Sequence, residues 1–163
     1  MENQIRISGM ENDSVVDGPG LRFTIFTQGC EHNCLGCHNP ETHDKNSGEL
    51  VSVDEILQLI DRNPLLDGVT FSGGEPFLQC EDLIPLALEI KKRNLSLVAY
   101  TGFLFENLIK DEKTKKLVGL VDILIDGPFV LSERTLNLPY VGSKNQRVIN
   151  ISESLKTDSV CLF

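Results

Sequence analysis

The sequence predicts an α/β fold built on an open parallel sheet, and three observations carry that prediction. Short apolar runs alternate with stretches of helical periodicity along the chain. Each run ends at a glycine or a short polar segment. The 163 residues leave room for four or five βα units, whereas a closed barrel of eight takes about 250 residues. The sheet therefore stays open, either doubly wound or as a curved fragment of a barrel, and in both cases ligands gather at the carboxyl ends of the strands.

Strands are predicted at residues 21–27, 68–71, 95–100 and 121–125, where apolar and β-branched residues cluster between turn signals. Ser52 and Glu55 fit a capping box, the hydroxyl accepting from the amide three residues on. Val53, Ile56, Leu57 and Ile60 then fall on one face of a helix. A second helix is predicted from Glu81 or Asp82 to Arg93, burying Leu83, Leu86, Ala87 and Ile90, with Pro85 tolerated in its first turn. A third covers 105–118. The order β-α-β-α-β-α-β, with right-handed crossovers, makes the sheet parallel and places the helices outside it. One domain is expected over 1–163, with 151–163 as a mobile tail.

Composition narrows the function classes. Hydrophobic residues make up 40% and the chain carries 13 glycines, an ordinary globular balance. The net charge is −9 and the longest basic run is Lys91-Lys92-Arg93, so the electrostatic footprint of a nucleic-acid binder is missing. The amino terminus lacks a basic start followed by an apolar stretch, and no window approaches the roughly 18 apolar residues of a membrane helix. A cytoplasmic protein without nucleic-acid or membrane partners is expected. In that compartment thiols stay reduced, so clustered cysteines bind metal or react.

Three of the five cysteines cluster, as Cys30, Cys34 and Cys37, within a loop at 29–47 that follows the first strand. The C-x3-C-x2-C spacing can wrap three thiolates around one metal centre. Structural zinc is one reading, although zinc sites usually bring a second cysteine pair farther along. An iron–sulfur cluster is the other. A cubane normally takes four thiolates, so three leave one iron open to bind a small molecule. Cys80 and Cys161 stand alone and are read as ordinary thiols.

This spacing resembles the signature of radical S-adenosylmethionine enzymes. Gly36, before the third cysteine, and Asn39, two residues after it, are similar to the activating proteins of glycyl radical enzymes, in particular the branch acting on anaerobic ribonucleoside-triphosphate reductase. Ser72-Gly73-Gly74-Glu75-Pro76 resembles the GGEP motif of that superfamily. Asp17-Gly18-Pro19-Gly20-Leu21-Arg22 resembles a DGPG-x-R stretch shared by the activases. Asp126-Gly127-Pro128-Phe129 and Gly142-Ser143-Lys144-Asn145-Gln146-Arg147 resemble two further blocks of the reductase branch, with Val141 where that branch commonly has arginine.

The resemblance spans residues 17–147 and implies an open partial (β/α) barrel of about four to five βα units. It implies a [4Fe-4S] cluster on Cys30, Cys34 and Cys37 with one open iron, and S-adenosylmethionine contacts from Gly36, Ser72, Gly73, Gly74, Glu75, Thr101 and Asp126. The Glu75 carboxylate can offer itself to an ammonium group, but Gly73, Gly74 and Glu75 are expected to contact the co-substrate through their backbone rather than through a specific side chain. Asp17, Gly18, Pro19, Gly20 and Arg22 are placed at the mouth where a partner's glycyl loop enters. The implied partners are the anaerobic reductase as protein substrate and a flavodoxin or ferredoxin as electron donor. The implied reaction is reductive cleavage of S-adenosylmethionine to a 5′-deoxyadenosyl radical that abstracts hydrogen from a glycine. No side-chain acid or base is expected, and His32, His38 and His43 read as surface or loop residues. An activase for another glycyl radical enzyme, of pyruvate formate-lyase type, and a zinc-binding adaptor without catalysis remain as alternatives.

Overall fold

The structure is a computed structural model and describes residues 3–32, 36 and 42–163. In chain order the elements are β1 (Gln4–Ser14), β2 (Arg22–Thr27), β3 (Glu49–Ser52), α1 (Val53–Asp61), β4 (Gly68–Gly73), α2 (Cys80–Lys92), β5 (Ser96–Tyr100), α3 (Phe105–Leu108), α4 (Glu112–Val118), β6 (Ile123–Asp126), β7 (Arg147–Asn150) and α5 (Ile151–Thr157). The strands form one sheet in the order β3-β1-β2-β4-β5-β6-β7. Its centre, β2-β4-β5-β6, is parallel throughout, with Arg22 opposite Gly68 and Gly68 opposite Ser96 at the starts of the strands. This is the open α/β sheet with a parallel centre that the repeating βα pattern predicts.

The predicted strands coincide with these four. Alternation along them separates two faces. Phe23, Ile25, Val69, Phe71, Leu97 and Ala99 belong to the core under the helices, all at most 2% exposed. Ser52 caps α1 as expected, its Oγ accepting the Glu55 amide at 3.1 Å. The buried faces of α1 and α2 contain every residue predicted for them.

Differences from expectation lie at the edges. Strands β1, β3 and β7 are antiparallel additions to the sheet that apolar runs do not announce. In β1 only Ile5, Ile7 and Ser14 are buried, and the register shifts between Ile7 and Gly9 and again between Glu11 and Ser14. Helix α2 starts at Cys80 after a 3-10 turn at Pro76–Gln79, which puts Pro85 in the second helical turn rather than the first. The predicted helix over 105–118 is two short ones, because Asp111 accepts the Lys113 amide at 2.8 Å and starts α4 afresh. Residues 151–163, read as a tail, carry α5 with Ile151 and Ser154 buried, and Leu162 bridges back to Ile149. Asn150 caps that helix from a polar context that gives no apolar periodicity.

Arg22 corrects a second expectation. It does not face a partner: it is 0% exposed at the amino-terminal, closed end of the parallel strands. Its Nε donates to Thr70 Oγ1 at 2.8 Å. Nη1 donates to the Pro19 carbonyl at 2.8 Å and to Ser96 Oγ at 2.9 Å. Nη2 donates to the carbonyls of Val69 at 2.9 Å and Ser96 at 2.8 Å. All five N–H donors of the guanidinium are thus used. Pro19 to Leu21 strap this end, the Leu21 amide donating to Asp67 at 2.8 Å, while Asp17, whose carbonyl accepts from Thr70 Oγ1 at 2.8 Å, lines a cavity toward the other end of the strands. Gly18 packs against Arg22 and Val98, and Gly20 against Asp67.

Candidate functional site

At the other, carboxyl end of the same strands the chain leaves a cavity of about 510 Å³. Four strand exits wall it: Cys30 after β2, Ser72, Gly73 and Gly74 at β4, Tyr100, Thr101 and Gly102 at β5, and Gly127 after β6. This is where ligands are expected in an open parallel sheet, and the volume falls within the roughly 300–1,000 Å³ of small-molecule sites. Cys34 and Cys37 lie outside the described residues.

The two glycines bring loops together. Gly73 has φ +94°, and a Cβ on Gly74 would stand 2.3 Å from the Gly29 carbonyl oxygen. Without side chains there, the Gly74 amide reaches the Thr27 carbonyl and the Glu75 amide the Gly29 carbonyl, both at 2.8 Å. The turn after β4 is therefore sewn to the loop that carries Cys30 while still lining the cavity.

The Glu75 carboxylate is engaged within the protein. The residue is 1% exposed. Its Oε1 accepts from His32 Nε2 at 2.6 Å and the Gly102 amide at 2.7 Å, Oε2 accepts from the Phe77 amide at 3.1 Å, and Thr101 Oγ1 lies 2.9 Å from both oxygens. Four donors match the roughly four acceptor positions of a carboxylate. The Thr101 hydroxyl is also committed, and it accepts the Phe103 amide at 3.0 Å. Asp126 is spoken for in the same way: at 0% exposure its oxygens accept from Arg147 Nε at 2.9 Å, Arg147 Nη2 at 2.5 Å and the Phe105 amide at 2.8 Å. These bonds raise the Arg147 pKa above its ordinary value. Gly36 is exposed and faces the Leu131 side chain.

The NQR block and the turn after β6 face each other. Asn145 Nδ2 donates to the Pro128 carbonyl at 2.8 Å and Gln146 Nε2 to the Gly127 carbonyl at 3.0 Å, while Arg147 holds Asp126. The two blocks, distant in sequence, are one brace that fixes the cavity wall at Gly127.

Residues that the sequence did not assign to the site also line its cavity, His32 and His43 among them, which the sequence reads only as surface or loop residues. The bond to Glu75 raises the His32 pKa, with burial opposing it. His43 Nε2 is buried and has no hydrogen-bond partner among the described residues. Tyr100 donates to the Tyr140 carbonyl at 2.8 Å, and burial pushes its phenol pKa up. Tyr140 itself sits at φ +71°, so that bond anchors a turn in an unfavourable backbone region. Proximity to the cysteines was the one signal that could have singled out the two histidines; Tyr100 ends a predicted strand, whereas nothing local marks Tyr140. At the rim Val16, Leu136 and Leu138 are 70%, 83% and 47% exposed. The mouth is apolar. No helix among the described residues is long and apolar enough to cross a membrane.

Comparison with known proteins shows the family. Residues 16–149 match the model of a family described as a 4Fe-4S single cluster domain. The chain is 32% identical, over 81% of its length and 89% of the relative's, to an anaerobic ribonucleoside-triphosphate reductase-activating protein of Haemophilus influenzae. It is 34% identical to a pyruvate formate-lyase-activating enzyme of Staphylococcus aureus (strain USA300) over 91% of this chain. It spans 62% of the length of that relative. Among solved structures, QueE from Escherichia coli aligns with a TM-score of 0.48 and 23% identity, covering 61% of this chain and 52% of that one.

Proposed function

Given that the chain belongs to the 4Fe-4S single-cluster family, within the glycyl-radical-enzyme activating branch of the radical S-adenosylmethionine superfamily, we propose that it generates the glycyl radical of an anaerobic ribonucleoside-triphosphate reductase. The observation that carries this reading is the cavity itself, which sets Cys30 of the cysteine loop beside the Ser72-Gly73-Gly74 turn at the strand ends. The Gly142-Ser143-Lys144-Asn145-Gln146-Arg147 block, which resembles the reductase branch, supports the reductase as partner.

The residues present fit a cluster and its co-substrate. Cys30 offers a soft thiolate at the wall, the ligand type of iron–sulfur centres, and the buried, unpartnered Nε2 of His43 is a polar atom awaiting a ligand. Cys30, Cys34 and Cys37 would hold the cluster. S-adenosylmethionine would lie along Ser72, Gly73, Gly74 and Thr101, held by backbone groups because the Glu75, Thr101 and Asp126 side chains already serve the protein. When bound, the cluster would supply the electron, drawn from a flavodoxin or ferredoxin, that splits S-adenosylmethionine and so yields the radical that takes hydrogen from the partner's glycine. What the chain itself contributes is orientation and a dry wall. Tyr100, Tyr140, Phe129 and the brace at Gly127 enclose one side. The apolar rim of Val16, Leu136 and Leu138 receives the partner's loop.

Anaerobic reconstitution tests the proposal. A brown protein that, with S-adenosylmethionine, a reductant and the purified reductase, produces a glycyl radical signal by electron paramagnetic resonance is expected. Cys34→Ala should lose both colour and signal. A colourless protein that retains zinc overturns the reading, and a signal on pyruvate formate-lyase alone would reassign the partner.

A further inference from the structure

The loops leaving β2, β4 and β5 converge on one buried carboxylate, Glu75, and each contributes a donor to it: His32 from the first, Phe77 from the second, Thr101 and Gly102 from the third. We propose that His32 is a positioning residue, fixing the cysteine loop, through Glu75, at a set distance from the two loops that wall the S-adenosylmethionine site. This rests on the function proposed above.

Three contacts hold the imidazole. Its Nε2 lies 2.6 Å from Glu75 Oε1. Its ring meets Phe103 edge to face, centroids 4.5 Å apart at 70°. Its third side lies against Gly102, where a Cβ would come within 2.6 Å of the ring. The side chain is 16% exposed and that of Glu75 0%. A ring gripped in this way, two residues after Cys30, has little freedom, and neither does the backbone that carries it. Misplacement by about 1 Å between a reacting pair costs on the order of 100-fold in rate, so a tie between the cysteine loop and the co-substrate loops acts where tolerance is smallest. Glu75 is the hub because it can take all four donors. His32 is the one of them that comes from the cysteine loop.

Three variants test the role: His32→Leu, which removes the donor; His32→Gln, whose amide can still donate to Glu75; and Gly102→Ala, which presses on the ring. Each is reconstituted anaerobically. The readouts are iron per chain and the S-adenosylmethionine concentration that half-converts the electron paramagnetic resonance spectrum of the reduced cluster. His32→Leu is expected to retain native iron content but to need about 10- to 100-fold more S-adenosylmethionine, the worth of one hydrogen bond to a charged group. His32→Gln should recover most of that loss, and Gly102→Ala should resemble His32→Leu. Hydrogen exchange on the metal-free protein reads the tie without any cofactor: in His32→Leu the Gly102 amide should exchange about 10-fold faster. A native spectral response in His32→Leu, or loss of iron from it, overturns the role alone. A native protein whose spectrum ignores S-adenosylmethionine overturns the function and this role together, even if Gly102 exchange has quickened.

Discussion

The two ends of the parallel strands solve the same problem in opposite ways. At the closed end a buried cation, Arg22, gives all five of its N–H donors to three carbonyls and two hydroxyls. At the open end a buried anion, Glu75, takes four donors from an imidazole, a hydroxyl and two amides. Both residues sit in motifs that a reader of the sequence assigns to function, and both are fully occupied by the protein. The difference lies in where the partners come from. The acceptors around Arg22 belong to strand starts and to the strap before β2, so saturation there closes a surface. The donors around Glu75 belong to loops that rim a cavity, so saturation there shapes one. A buried charge of this kind holds the frame of a site rather than touching its ligand.

Breaking either end should separate the two roles. The largest effect is expected from Arg22→Met, which removes the donors to the carbonyls of Pro19, Val69 and Ser96 and to the hydroxyls of Thr70 and Ser96 and should cost about 4–5 kcal/mol in urea unfolding. If Arg22 instead contacted a partner, the variant would keep its stability and lose partner binding. Glu75→Gln comes next. It retains the shape but turns an NH2 toward the donors, and about 2–3 kcal/mol of stability should go, with the loops at 29–32 and 101–103 exchanging faster while the closed end stays protected.

Asp126→Asn tests the second wall of the cavity. It weakens the Arg147 bonds and should cost about 1–2 kcal/mol, reduced because Arg147 is partly exposed and retains Glu106. S-adenosylmethionine affinity should follow the loss of the Gly127 brace only weakly, whereas a loss of about 100-fold would mean that the carboxylate binds the co-substrate directly. The smallest effect is a control far from either end. Arg93 holds Asp61 at 2.7 and 3.0 Å and depresses its pKa. A depressed carboxylate stabilises above its ordinary pKa and loses that contribution as pH falls through the lowered one. In this exposed pair Asp61→Asn should therefore cost about 0.2–1 kcal/mol at neutral pH, and native and variant unfolding curves should converge in acid.

How far the residues could be read in advance depended on whether the signal was local. The four parallel strands and the capped helix α1 were legible because each carries its own periodicity or cap within a few residues. Strands β3 and β7, four residues long, have too little pattern to stand out, and they become strands only because a neighbour offers an edge. Ser72, Gly73, Gly74 and Thr101 were placed correctly at strand ends. Glu75 and Asp126 were placed in the right loops, but their partners within the protein were not legible, since most of them, His32, Thr101, Gly102, Phe105 and Arg147, are between 21 and 43 positions away.

By itself, then, the sequence determined the open α/β architecture, the cysteine spacing and the strand-end location of the cavity, because alternation, capping and ligand spacing act over a handful of residues. Only the tertiary structure decided which motif residues face the cavity and which are anchors beneath it. That choice depends on hydrogen-bond partners that converge from separate loops, and a buried charge must be satisfied by whatever the fold brings to it.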